Sequence, residues 1–310
     1  MFHNLDMGIS HFIKEIGRGK EGARHLTRAQ AHALMGQVLD AQVSDVELGA
    51  FCVAMRIKGE TPEEMAGFLD ATHERLQLIP NPNKQPVIVL PSYNGSRRLP
   101  LLTPLLAMML AKQGLGVVIH GGNTEDERVA TADVVRHLGL PVWSTVSPIQ
   151  AGEVVYVPTE LLHAGLWQLL QVRRQVGLRN PGHSLVKLMN PVHGPSIRVS
   201  SYTHPEYALS MRETLEMLHA DAMLLRGTEG EPVADHRRSP QWLTVRQGQV
   251  QPQDTEHPNS VEWSNLPMGL DAANTAELIN DIHQGKLAMP LPLQWQADLL
   301  FALAKDCTEP

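Results

Sequence analysis

Two cysteines in 310 residues, Cys52 and Cys307, are too few to staple a fold. A disulfide framework is excluded as the organising principle, and a reducing, cytoplasmic setting is expected. No stretch approaches the roughly 18 uninterrupted apolar residues of a membrane-spanning helix. The N-terminal MFHNLDMGISHFIKEIG lacks a signal-peptide pattern, so no membrane partner is expected. The fifteen histidines form no H-x-x-x-H pair and neither cysteine has a ligand at metal spacing, so no metal site is read. No nucleophile with a neighbouring base is legible either. Ser92 and Ser96 lie in a loop, where serines usually form turns, and catalytic residues stay unassigned.

Carboxylates are absent from two long windows. From Gln77 to Thr124 there is no Asp or Glu, yet Lys84, Arg97, Arg98 and Lys112 are present. From Leu161 to Pro205 there is again none, against Arg173, Arg174, Arg179, Lys187 and Arg198. The chain is formally −7, so the rest of it carries −16 against nine cations in these windows. The overall sign argues against a nucleic-acid partner, while the local asymmetry argues for one. Buried α/β segments would also lack carboxylates, and both explanations stand at this point.

What is present suffices for a large core: 43% of residues are hydrophobic, enough for one or two domains. Residues 1–76 read as a small helical domain. TRAQAHALMGQVLD opens at Thr27 with Gln30, SDVELGAFCVAMRIKG at Ser44 with Glu47, and TPEEMAGFLDATHERL at Thr61 with Pro62 and Glu64. Each is a capping-box start. QLIPNPNKQP reads as a linker, and residues 77–310 then read as a larger α/β domain. Its short apolar runs are VIVL (87–90), GVVIH (116–120), VVYV (154–157), IRVSSY (197–202) and DAMLL (221–225). Helical patterns separate most of them, which predicts a mostly parallel sheet. PQWLTVRQGQVQP reads as a hairpin turning near Gly248, and two helices close the chain. LWQLLQVRRQVG and SLVKLMN, between about 160 and 190, are placed to return to the helical domain.

The loop PSYNGSRRLPLLTP (91–104) stands between a strand and a helix, the usual place for a phosphate site, with Arg97 and Arg98 side by side. The pair reads either as phosphate contacts or as a solvated pair facing the acidic N-terminal helices. Arg173, Arg174 and Arg179 read either as a second phosphate cluster or as a helix-face salt bridge or dimer contact. His120 is a site residue or a strand-end histidine. Tyr93 either stacks on a base or covers the domain junction.

GVVIHGGNTEDERVATADVVRHLGLP (116–141) and LLQVRRQVGLRNPGHSLVKLMNP (169–191) resemble two motif segments of the anthranilate phosphoribosyltransferases, in the family's order. The resemblance implies the nucleoside phosphorylase/phosphoribosyltransferase type II fold and a homodimer formed through the helical domain. Where that family has a glycine-rich G-T-G-G-D loop, this chain has approximately LPSYNG. The N-x-S-T that follows keeps only Thr103, and the His-Gly motif keeps only His120 and Gly121. The family's serine pair falls in DER (126–128), and its metal-binding Asp-Glu pair falls near Pro232 and Val233. Glu229 and Glu231 lie nearby at a spacing that does not match. This combination resembles the TrpD-like, YbiB-type branch of the glycosyl transferase family 3 superfamily. That branch implies sequence-independent binding of DNA or RNA at the domain junction, with a degenerate donor site and no cofactor. The candidate phosphate contacts are then Asn94, Gly95, Ser96, Arg97, Arg98, Thr103, His120, Gly121, Arg173, Arg174, Arg179 and Lys187. The alternative is a phosphoribosyltransferase or phosphorylase, with Mg²⁺ if donor activity survives. It is favoured by His120, Gly121, Thr131, Asp133 and Arg173, which stand near family positions.

Overall fold

The computed structural model describes residues 8–19, 21–251 and 264–307. The first seven residues, read above for a targeting pattern, lie outside that range.

Helix α1 (Ser10–Ile16) leads into α2 (Arg28–Leu39), α3 (Asp45–Lys58) and α4 (Pro62–His73). The last three start as their sequences require. Thr27, Ser44 and Thr61 each accept the N–H three residues on, and Gln30, Glu47 and Glu64 reach back to the cap N–H. Glu64 is fully buried and also takes the Leu26 N–H at 2.8 Å and Lys58 Nζ at 2.5 Å. One carboxylate therefore ties the entry to α2 and the end of α3 to the start of α4. Phe51 and Phe68 meet edge to face at 6.1 Å in the core beneath.

After the linker come β1 (Ile79–Pro80), β2 (Val87–Ser92), α5 (Thr103–Lys112), β3 (Val117–Gly121) and α6 (Thr131–His137). They are followed by β4 (Val154–Pro158), α7 (Thr159–Leu162), α8 (Ala164–Val176), α9 (Gly182–Leu188) and β5 (Val192–His193). The chain continues through β6 (Ser196–Tyr202), α10 (Glu206–Met217), β7 (Ala222–Arg226), β8 (Trp242–Arg246) and β9 (Gln249–Gln251). Helices α11 (Ala272–His283) and α12 (Leu291–Asp306) close it.

The main sheet runs β4-β3-β2-β6-β7-β8-β9, parallel through β7 and antiparallel beyond. The β8–β9 hairpin turns on Gln247 and Gly248, both left-handed, as a two-residue hairpin turn demands. Alternate residues serve two cores. Val87, Val89, Val118, Val155 and Leu224 face the core shared with the helical domain. Ile88, Leu90, Val117, Ile119, Met223 and Leu225 face α5, α6, α11 and α12. Each such side chain contributes about 1.5–3 kcal/mol when buried, so strand register is fixed from both faces. Helix α8 packs on α2 and α9 on α4, returning the chain to the helical domain.

One strand is longer than its apolar run. Pro91 and Ser92 continue β2 alongside His120 and Gly121, instead of opening the loop. The ladder with β6 is already finished at Val89, so the missing N–H of Pro91 leaves no partner on that side unsatisfied.

Candidate anion-binding site at the domain junction

Ligand sites in parallel sheets form at the carboxyl ends of the strands. Here that end carries the loop after β2 and the turn after β7, brought together across β6. Gly95 is left-handed (φ 63°) and lies against the Val129 carbonyl. Ser96 exchanges backbone hydrogen bonds with Val129 at 2.9 and 3.0 Å. The loop's N–H groups consequently point towards the β7 turn.

Two glutamates fill them. Glu231 Oε1 accepts the N–H of Asn94 at 2.9 Å and of Gly95 at 2.8 Å. Its Oε2 accepts from Thr103 Oγ1 at 3.1 Å and from the Ser92 hydroxyl. Glu229 Oε2 accepts Arg97 N–H at 2.8 Å, Arg98 N–H at 3.2 Å and Leu99 N–H at 3.4 Å. Five backbone donors beside a strand end would suit a phosphate, and in this chain its own carboxylates hold them.

The turn that delivers those carboxylates, residues 227–231, is strained and clamped. Glu229 (φ 52°) and Gly230 (φ 87°) are consecutive left-handed residues, and such a conformation costs a non-glycine residue about 1 kcal/mol. Lys187 Nζ and Ser201 Oγ both donate to the Gly230 carbonyl, at 2.9 and 2.7 Å, and Asn94 Nδ2 donates to the Glu229 carbonyl at 2.9 Å. A Cβ at residue 230 would collide with the Asn94 side chain. Burial pushes the Lys187 ammonium down to about 8.

Several residues read from sequence as surface phosphate contacts lie inside. His120 is completely buried, and its Nδ1 stands 2.9 Å from the Tyr93 hydroxyl, which in turn is 2.8 Å from Thr159 Oγ1. Burial holds His120 down at about 3, so it is a neutral strand-end histidine. Tyr93 covers the junction core and does not offer a stacking face. Asn94, Gly95, Ser96, Thr103 and Gly121 are buried as well, with Lys187 only 9% exposed. These six and His120 lie inside; none of them forms an open surface for a polymer.

The arginines of α8 and the loop after it are paired. Arg173 Nη1 and Arg179 Nη2 reach Glu125 Oε1 at 2.5 and 2.8 Å, and Arg174 grips Asp126 at 2.5 and 2.8 Å. These are the salt bridges that the sequence left open, made to Asp126 at the family's serine-pair segment and to Glu125 just before it. Burial pushes the Glu125 carboxyl up, and the hydrogen bonds from Arg173 and Arg179 outweigh it and hold it at about 2. Arg97 and Arg98 differ. Both are exposed, and among the described residues no carboxylate pairs with either guanidinium. The sequence also gave no prominence to Arg56, exposed on the last turn of α3 at the edge of the interdomain cleft. That cleft, of about 700 Å³, lies between α3, α9, α10 and the Glu229 turn.

The buried histidines set an acid dependence. His120 and His183 are held at about 3, and His73 and His163 at about 4, all by burial, against 6.5 for a free histidine. Below pH 6.5 the unfolded chain therefore takes up protons that the folded chain refuses, and stability falls with pH. Glu125 adds a further loss between about 4.5 and about 2 as its arginines are released. Urea midpoints should drop steadily from pH 7 to pH 4, and a flat profile from 7 to 5 would contradict this assignment.

Residues 10–75 match the helical bundle domain of the glycosyl transferase family. The chain is 37% identical over 300 residues to YbiB of Escherichia coli K12, covering 94% of this chain and 92% of that protein. The chain belongs to the TrpD-like, YbiB-type branch of the anthranilate phosphoribosyltransferase superfamily. It is also 26% identical over 192 residues to an anthranilate phosphoribosyltransferase of Dictyoglomus turgidum, covering 60% of this chain and 55% of that enzyme. The Thermus thermophilus anthranilate phosphoribosyltransferase (TrpD) superposes with a TM-score of 0.76 at 21% identity, over 95% of this chain and 89% of that one. A yeast enzyme in complex with PRPP and Mg superposes at 0.71 and 14%, over 96% and 89%. These two neighbours establish the TrpD-like fold.

A Mg²⁺ ion does not fit the TrpD-like site as this chain builds it. The carboxylates beside the loop, Glu229 and Glu231, are spent on backbone N–H groups. Among the described residues, no group of three or more His, Cys, Asp or Glu is placed to hold a metal.

Proposed function

We propose that this TrpD-like protein binds the phosphate backbone of nucleic acids without reading sequence, and that its donor site is closed. The observation that carries the reading is the contrast within one loop. Its backbone donors are taken by Glu231 and Glu229, while the Arg97 and Arg98 guanidinia stand exposed with no ion-pair partner among the described residues. A small diphosphate needs the former; a polymer's phosphates need only the latter.

The partner of the protein itself is a second copy. Helix α3 exposes Val46 (82%), Val53 (37%) and Ile57 (64%) along one face, with Ala50 exposed between them. An apolar stripe with a small residue at its middle suits close helix packing, and a dimer would double the exposed arginines. The phosphoribosyltransferase alternative is favoured by the fold and by the 700 Å³ cleft.

Titration of fluorescent single-stranded DNA against salt tests the reading, with sedimentation reporting the mass of the species that binds. Arg97, Arg98 and Arg56 on each protomer should give log K falling with log salt at a slope of about −2 or steeper. Binding with no slope would sink it. Calorimetry with phosphoribosyl pyrophosphate and Mg²⁺ should show no heat at millimolar donor, and clear heat would restore the enzyme.

A further inference from the structure

The two carboxylates in the loop are not held alike. Glu231 is 1% exposed and takes two short N–H bonds and two hydroxyl bonds, so it is sealed in place. Glu229 is half-buried at the mouth; the Arg97 N–H reaches it at 2.8 Å, while the Arg98 N–H is shared between its two oxygens at 3.2 and 3.3 Å and the Leu99 N–H is 3.4 Å away. The clamps on the turn, from Lys187, Ser201 and Asn94, act on the backbone carbonyls of Glu229 and Gly230 and not on the carboxylate. The Glu229 side chain can therefore leave while the turn stays. What it would leave is a row of three N–H groups, flanked by the exposed guanidinia of Arg97 and Arg98. Such a row is a built oxyanion seat, and a phosphate brings more acceptor oxygens to it than one carboxylate edge.

We propose that the N–H groups of Arg97, Arg98 and Leu99 form a phosphate seat that the protein keeps filled with its own Glu229 carboxylate until a phosphate displaces it. Glu231 occupies the inner seat permanently and holds the loop in shape. Glu229 thus sets the threshold for binding: a weak or isolated oxyanion does not displace it, and a phosphate delivered with neighbours that engage Arg97 and Arg98 does. The seat rests on its own geometry; only the identity of the incoming phosphate as a nucleic-acid backbone rests on the function proposed above.

The test is Glu229→Asn, which removes the charge, shortens the reach and tolerates the left-handed backbone. Two probes are used, single-stranded DNA and inorganic phosphate. The variant should bind DNA about three- to tenfold more tightly at 0.1 M salt, one opposing charge having gone. It should also bind inorganic phosphate at millimolar concentration, where the wild type does not. A folded variant with unchanged affinity for both probes overturns the seat, even if both proteins bind DNA. Gain of phosphate binding with no DNA binding by either protein keeps the seat and removes the nucleic-acid reading. If Glu229→Asn does not fold, amide NMR of the wild type decides. Bound DNA should shift the Arg97, Arg98 and Leu99 amides and leave Asn94 and Gly95 in place, while millimolar phosphate alone should leave all five unmoved; a uniform or absent response to bound DNA overturns the proposal.

Discussion

Replacing Glu231 by alanine is expected to cost about 3–5 kcal/mol in urea unfolding, a large part of the stability of an ordinary domain. The carboxylate is 1% exposed, and its removal strands the N–H groups of Asn94 and Gly95 and the hydroxyls of Thr103 and Ser92. Each buried donor left without an acceptor costs about 1–3 kcal/mol, some of it recovered where water enters. Glu231→Gln should fall between wild type and alanine, since its amide keeps one acceptor oxygen and loses the charge. Glu229→Ala, at the mouth, should change stability by only about 1 kcal/mol. Equal losses for the two alanine variants would mean that the inner and outer carboxylates do not differ as their burial indicates.

The elements that were legible are those with local causes. Thr27, Ser44 and Thr61 announce their helices because each capping box closes within four residues. The alternation in β2 and β3 is equally local, and it extends to both faces of the sheet. The site was not legible in the same way, because its partners are distant in sequence. Glu231 meets Asn94 across 137 residues, and only the strand order β2-β6-β7 puts the two turns side by side. Its trace in the sequence is Gly227-Thr-Glu-Gly-Glu231, whose glycines mark a tight turn without saying what the turn faces. The α8 arginines show the same limit. An acid-free window left a phosphate cluster and salt bridges equally open, because the partners, Glu125 and Asp126, stand about 50 residues upstream. Pro91 misled in the other direction, by ending an apolar run inside a strand that continues past it.

Arg97→Ala combined with Arg98→Ala is expected to lower affinity for single-stranded DNA at least tenfold at 0.1 M salt. The slope of log K against log salt should flatten by about 1.4, or about 0.7 for each lost phosphate contact. Stability should hardly change. Both side chains are exposed without an ion-pair partner among the described residues, and their backbone N–H groups, which hold Glu229, survive the substitution. Arg174→Ala supplies the contrast. That guanidinium is bound to Asp126, so its loss also frees a carboxylate at the protein surface and reports on the ion pair as well as on any ligand. An exposed pair of this kind adds little to folding, so a folded Arg174→Ala protein should be obtained. If it loses as much affinity as the double variant, the phosphates lie along α8 and not over the Arg97–Arg98 loop. A slope that flattens only in the double variant places them at the mouth of the Glu229 seat, where unpaired positive charge and filled backbone donors meet.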